Sequence, residues 1–291
     1  MSFSLIDMLG RACPRIDIVD VGAMWLDYEA LPYRKLLKAD THVVGFEPDQ
    51  AECDKLNSMN RPNQRFLPYF IGDGAGRTFH ACNRTETGSL YDPDLSLVSR
   101  FHGLAEIMTP AGTRPVQTRR LDDLPEVEGM DYLKVDVQGA ELDVLKGATN
   151  RLKTCLVVHA EVEFVPLYKQ QPLFADVDAF LRSHGFFVHS LGPIMYSRTL
   201  RPFVPGGSTP ISPQLLWTDA VFVKSFMRFA ELSHDQLLKL AVILHEQYNA
   251  CDLAALALQH HEAKTGKGLW KIYTARLNRG VTPPAPPLSF P

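Results

Sequence analysis

Between Ile16 and Val223, short runs rich in β-branched residues alternate with stretches of helical periodicity, and most of the runs stop at an acidic residue or a glycine. That alternation is the tightest constraint on the fold, because strands joined through helices pack as a mainly parallel sheet. Ile16 to Val21 reads as the first strand, with a helix over Tyr28 to Ala39 behind it. Thr41 to Phe46 is the second strand, and Asp49 caps a helix to about Met59. Arg65 to Ile71 is the third, closed by Gly72, Asp73 and Gly74. The looser stretch 76–121 reads as an insertion with strands at Thr78 to Cys82 and Arg114 to Leu121 and a helix, Leu95 to Met108, between them. The rhythm then resumes: strand Asp131 to Val137, helix Ala140 to Arg151, strand Cys155 to Val162, helix Phe174 to His184 ended by Gly185, and strand Phe186 to Leu191. A Pro/Gly-rich excursion, Gly192 to Pro213, leads to the last strand, Leu215 to Val223. Without a helical crossover that pair is antiparallel. The expected fold is α/β, a parallel sheet with one antiparallel strand near its edge.

After Lys224 the pattern turns wholly helical. Ser233 with Gln236 forms a capping box ahead of Leu237, Ala241, Leu244 and Tyr248 on one face; Asp252 caps a second helix to about Ala263, and Gly266 ends it. The chain thus divides into a sheet domain, 1–225, with its insertion at about 76–121, a helical hairpin, 226–275, and a proline-rich tail, 276–291. The hairpin suits packing against the sheet domain or against a second copy in a homo-oligomer. A formal charge of -3 lacks the basic excess of a nucleic-acid binder, and no apolar run is long enough to span a membrane. Five scattered cysteines without CxxC offer neither a disulfide framework nor a zinc finger. The first fifteen residues lack a secretory signal, so a cytoplasmic location is expected.

In open α/β sheets ligands bind outside the carboxyl ends of the strands. There the chain places Asp20 and Gly22, then Glu47, then Gly72 and Asp73, then Asp136 and Gln138, and finally His159, Glu161 and Glu163. In CLVVHAEVEF the face that begins with Val157 turns to His159, Glu161 and Glu163, as for a strand entering a polar cleft or one already leaving the sheet. Lys134 and Asp136 share a face, which suits a site or a structural ion pair; Lys134 with Glu161 is a further pairing. Gly22 permits close backbone approach in the first loop, and an acidic residue at Glu47 can accept from both ribose hydroxyls of a nucleoside. The dinucleotide fingerprint GxGxxG is absent, which disfavours a nicotinamide-dependent dehydrogenase.

VDVGA at Val19 to Ala23, GFEPD at Gly45 to Asp49 and above all LKVDVQGAELDVLKGA at Leu133 to Ala148 resemble the FkbM family of S-adenosylmethionine-dependent methyltransferases. TETGSL at Thr85 to Leu90 resembles a serine-containing loop of the same family. The resemblance covers roughly Ile16 to Val223 and implies a Rossmann-like class I methyltransferase sheet of seven strands, six parallel and one antiparallel. It implies S-adenosylmethionine as cofactor, with Asp20, Gly22 and Ala23 at its methionine end, Glu47 on the ribose, and Gly72 and Asp73 beside the adenine. Asp136 and Gln138 would face the sulfonium and the acceptor. The activity implied is O-methylation of a hydroxyl on a small-molecule or glycan acceptor, such as a sugar or secondary metabolite. Asp136, Glu161 and His159, in that order, are the candidates to take the hydroxyl proton. A divalent cation on Asp136 and Glu161 is the alternative way to acidify the hydroxyl, though it lacks a third ligand. One position departs from the family pattern: Leu26 stands where a second glycine is usual. A catalytically inactive methyltransferase-like binding or scaffold protein is therefore the competing reading.

Overall fold

The computed structural model describes residues 3–24, 31–204, 206 and 211–278. Helix α1 (Leu5–Leu9) precedes strand β1 (Ile16–Val21), and strand β2 (Thr41–Phe46), helix α2 (Gln50–Ser58) and strand β3 (Gln64–Leu67) follow. Strands β4 (Gly76–Cys82) and β5 (Pro110–Gln117) enclose the short helices α3 (Leu95–Val98) and α4 (Leu104–Met108). Then come β6 (Tyr132–Val135), α5 (Glu141–Lys146), β7 (Val157–Glu163), α6 (Phe174–Ser183), β8 (Phe186–Arg198) and β9 (Gln214–Lys224). Helices α7 (His234–Tyr248), α8 (Cys251–Thr265) and α9 (Leu269–Leu277) complete the described chain.

Seven strands form one sheet in the order β3-β2-β1-β6-β7-β9-β8, and β4 with β5 forms a separate antiparallel ribbon. β1, β2, β3, β6 and β7 pair in parallel, whereas β9 runs antiparallel to both neighbours, β7 and β8. This is the six-plus-one sheet expected of a class I methyltransferase. Val19, Leu133, Val158 and Phe222 on one sheet face pack with Val144 and Leu145 of α5 and Val177 and Leu181 of α6 in a single buried cluster. Each such side chain contributes about 1.5–3 kcal/mol through burial.

Several expected elements differ. The helix drawn over Leu95 to Met108 is two short helices, because the backbone between them pairs elsewhere: His102 N–H donates to Thr199 and Phe101 bridges Leu200. β3 stops at Leu67, where Pro68 removes the next donor, and Ile71 retains only an isolated bridge to Arg119. The second insertion strand lies earlier, at Pro110–Gln117. β8 runs on through Gly192 and Pro193 to Arg198, as an edge strand tolerates proline where its register shifts, between Leu191 and Met195. α5 is shorter than expected and is followed by Gly147. Of the helix expected over Tyr28 to Ala39, residues 28–30 lie outside the described residues, and Arg34–Lys38 is a 3-10 helix. Leu26 also lies outside the described residues.

The chain separates into two compact units, Met1–Arg15 with Tyr33–Asp40 and Phe226–Pro291, and Ile16–Pro32 with Thr41–Ser225. The N-terminal segment thus groups with the helices and not with the sheet. Within that helical unit Glu246 accepts from the Ser4 hydroxyl at 2.9 Å and the Ile6 N–H at 3.0 Å. The Ser233–Gln236 capping box is present. Asp252 is not the cap of α8: Ala250 occupies that position, and Asp252 sits in the first turn, where its charge meets the positive end of the helix. α9 was not expected from the sequence and makes three helices of the hairpin.

Candidate active site

Parallel register sets the site. Asp20, Lys134 and His159 are partners across β1, β6 and β7, so they share one face of the sheet. Two residues further along each strand, Gly22, Asp136 and Glu161 occupy the same face, and Asp219 on β9 is the partner of Glu161. The opposite face is the apolar core.

Gly22 sits at φ 78°, and its N–H and that of Ala23 both donate to the Phe46 carbonyl, at 3.0 and 3.1 Å. A Cβ at Gly22 would stand 1.8 Å from the Asp136 carbonyl oxygen, so only glycine lets the ends of β1 and β6 meet. Lys134 fastens this corner. Its buried ammonium donates to the Gly22 carbonyl at 2.6 Å and lies 3.4 Å from Asp20 and 3.7 Å from Asp136. Burial opposes its charge, but Asp20 and Asp136 outweigh that and hold the ammonium above its ordinary pKa.

The turn after β6 explains the spacing of DVQGAE. The Glu141 carboxylate folds back to accept from the Val137 N–H at 2.8 Å and the Gly139 N–H at 3.2 Å. Gly139 has φ 96° and Gln138 φ 57°. Gln138 projects its amide between two carboxylates, donating to Asp136 at 3.0 Å and Glu161 at 2.9 Å. The Ser89 hydroxyl donates to the Gln138 carbonyl at 2.6 Å, so the TETGSL segment packs onto this turn. Burial pushes the Glu161 and Glu163 carboxyls well above the carboxylate range, and the neighbouring acids, Asp136 among them, push them further. His159 lies 3.6 Å from Asp219.

At the end of β2, Glu47 is buried and accepts from the Asp49 N–H at 2.9 Å. Burial raises its carboxyl to about 7. Asp73 belongs to a second cluster. It takes the Ala75 N–H at 3.0 Å and pairs with Arg77, which also reaches Asp143 at 3.5 Å, where the Tyr91 hydroxyl donates at 2.8 Å. Burial works against the Asp73 charge, yet the Ala75 N–H and Arg77 hold its carboxyl below the usual range. Gly72 packs against Thr118.

The structure therefore gathers Asp20, Gly22, Asp136, Gln138, Glu161 and His159 on one face, with Ala23 beside Gly22, Glu47 at the neighbouring strand end and Gly72 and Asp73 in the Arg77 cluster. Glu141 and Tyr168 were not among the expected site residues, whereas Lys134 was expected either at a site or in a structural ion pair and Ser89 only as part of TETGSL. The period-two register contained the signal for Lys134, whereas Tyr168 follows β7 in irregular chain without one. The carboxylates outnumber the cations along this face, a donor set that suits a cationic ligand, and Gly22 lets the backbone of β1 close on that of Asp136 at its edge. Among the described residues no cluster of three or more His, Cys, Asp or Glu is placed to hold a metal ion. No described helix is long and apolar enough to cross a membrane.

The sequence matches the model of the methyltransferase FkbM domain over residues 20–188, more than half of its length. The chain belongs to the FkbM methyltransferase family. The match opens at Asp20 and runs into β8, so the FkbM domain holds every strand-end residue described above except Asp219. One similar protein is the 2-O-methyltransferase NoeI of Sinorhizobium fredii, 31% identical over 153 residues. The aligned stretch spans 49% of this chain and 62% of that protein, less than two thirds of the relative. Among solved structures, the magnesium protoporphyrin IX methyltransferase of Synechocystis, with bound SAM, overlaps with a TM-score of 0.36 at 12% identity, covering 75% of this chain and 74% of that one. A putative RNA methyltransferase of Pyrococcus horikoshii overlaps with a TM-score of 0.36 at 13% identity, covering 76% and 80%. The strand order within the FkbM chain itself, and not these overlaps, carries the fold assignment.

Proposed function

We propose that this FkbM-family chain transfers a methyl group from S-adenosylmethionine to a hydroxyl of a sugar, glycan or secondary metabolite. The observation that carries the reading is the convergence of Asp136 and Glu161, bridged by Gln138, beside the Gly22 corner. The name of NoeI, a 2-O-methyltransferase, supports oxygen as the acceptor atom. When bound, S-adenosylmethionine supplies an electrophilic methyl carbon on a sulfonium that departs as a neutral thioether with the C–S electron pair.

The chain's own residues would do the rest. Asp20, Gly22, Ala23, Asp136 and Gln138 would line the methionine end, Glu47 would accept from the ribose hydroxyls, and Gly72 and Asp73 would border the adenine. Asp136, a third exposed, would take the proton of an acceptor hydroxyl held beside it. Glu161, its carboxyl raised by burial and by the acids around it, would hydrogen-bond the acceptor, with His159 behind it against Asp219. The test is Asp136→Asn and Glu161→Gln in a methyl-transfer assay with calorimetric affinity for S-adenosylhomocysteine as control. A loss of about 10²-fold or more in kcat for Asp136→Asn, measured at saturating cofactor, is expected. Full activity in both variants would overturn the assignment, and no affinity in the wild type would favour the scaffold reading.

A further inference from the structure

Gln138 is a non-glycine residue at φ 57°, a left-handed conformation that strains an L side chain and that turns usually give to glycine or asparagine. The strain is held from three sides. Ser89 donates to the Gln138 carbonyl at 2.6 Å, and Glu141 clasps the N–H groups before and after it at 2.8 and 3.2 Å. The Tyr168 hydroxyl is within hydrogen-bond reach of both the Thr87 carbonyl, at 2.9 Å, and the Gln138 side-chain oxygen, at 3.4 Å. What a glycine here would lack is reach. The carboxamide has two N–H donors on one nitrogen, and both are spent on carboxylates from different strands, Asp136 at 3.0 Å and Glu161 at 2.9 Å. Asparagine, one methylene shorter, tolerates the backbone but falls short of that span. The amide is also set the right way round: its oxygen faces the Tyr168 hydroxyl, where the reverse orientation would turn an acceptor toward two acids.

We infer that Gln138 is the positioning residue that joins Asp136 and Glu161 into one proton-accepting unit, clamped by Ser89 and Tyr168. The inference rests on the methyl-transfer reading of this site. A glutamine donates at every pH, so the link persists whether one proton or none is on the pair. Lys134 stands on the Asp136 side, 3.7 Å away. Glu161 faces Asp136 just past β6, Glu141 on α5, Glu163 on its own strand and Asp219 on β9, with the His159 imidazole and the Lys134 ammonium beside that row. The acids thus crowd the Glu161 side of the pair, and the Lys134 ammonium stands on the Asp136 side.

Carbon-13 NMR of labelled carboxyl groups reads the link without activity. In Gln138→Ala the titration midpoint of Glu161 should rise by about one pH unit, because a donor to its charged form is gone. An unmoved midpoint in a folded variant overturns the clamp, whatever the protein catalyses. In the methyl-transfer assay at saturating S-adenosylmethionine, Gln138→Glu should move the acid limb of kcat up by about one pH unit. Gln138→Asn should not restore the wild-type profile. If Gln138→Glu does not fold, Tyr168→Phe and Ser89→Ala serve: each should lower kcat by about tenfold, with KM for the cofactor unchanged. Wild-type kcat and pH profile in these variants would overturn the proposal. An active wild type with these results would leave the methyl-transfer reading standing, whereas a wild type that binds no S-adenosylhomocysteine removes that reading and leaves the NMR result to judge the clamp alone.

Discussion

Replacing Lys134 by methionine keeps most of the side-chain volume and removes the one ammonium shared by Asp20 and Asp136. Asp20 is 1% exposed, so the variant takes the Lys134 ammonium away from a carboxylate buried beside the Gly22 corner. Stranding one partner of a buried pair costs about 3–5 kcal/mol. At roughly 2–4 °C per kcal/mol for a domain of this size, Tm should fall by about 10 °C. The pH dependence has a definite sign. In the wild type the Lys134 pKa is raised in the folded state, so its contribution is complete below the ordinary lysine value and is lost only as pH rises through the folded one. Across pH 5–9 it is constant. In the variant Asp20 can shed its charge by binding a proton, so the deficit should be smaller near pH 5 than at pH 8. Denaturant unfolding of wild type, Lys134→Met, Asp20→Asn and the double variant at both pH values reads this, and the double variant should regain much of the loss. A Lys134→Met deficit under about 1 kcal/mol at pH 8 would refute the claim that this ammonium holds the corner together.

Three other outcomes follow from the same geometry. Gly22→Ala must relieve both a positive φ and a Cβ 1.8 Å from the Asp136 carbonyl, so it should lower stability by about 3 kcal/mol or more and abolish S-adenosylhomocysteine binding by calorimetry. Glu47, raised by burial to about 7 from 4.5, binds its proton more tightly when folded, so wild-type stability should decline as pH rises from 4.5 to 7; Glu47→Gln should flatten that decline, by up to about 3 kcal/mol, in melts across the window. In the helical unit, Ser233→Ala removes the hydroxyl that caps α7 and should destabilise by about 1 kcal/mol in denaturant unfolding.

Much of the sheet was legible because its signals are local. β1 and β2 carry their bounds in β-branched runs, α2 its start in Asp49, and β9 its direction in the absence of a helical crossover. What escaped depends on contacts between distant segments. The break in Leu95 to Met108 is made by pairing with 199–201, and the continuation of β8 through Pro193 by its place at the sheet edge, neither of which periodicity can report. The site divides the same way. Asp20, Asp136 and Glu161 were visible as polar residues at strand ends, and register then placed them on one face. Asp73 was expected to be open to an adenine, yet Arg77, from the ribbon strand, already pairs with it. Ser89 and Tyr168 act on Gln138 across 49 and 30 positions of chain, a relation visible only once the loops are placed.

The central claim is that the Gly22 corner with Glu47 binds S-adenosylmethionine, and isothermal calorimetry tests it most directly. Wild-type protein freed of copurified ligand, Glu47→Ala and Gly22→Ala would each be titrated with S-adenosylmethionine and S-adenosylhomocysteine. The account predicts one site for each ligand in the wild type, weaker binding by about tenfold or more in Glu47→Ala as the ribose contact is lost, and none in Gly22→Ala. A wild type that binds neither ligand, or a Glu47→Ala variant that binds both as the wild type does, would contradict it.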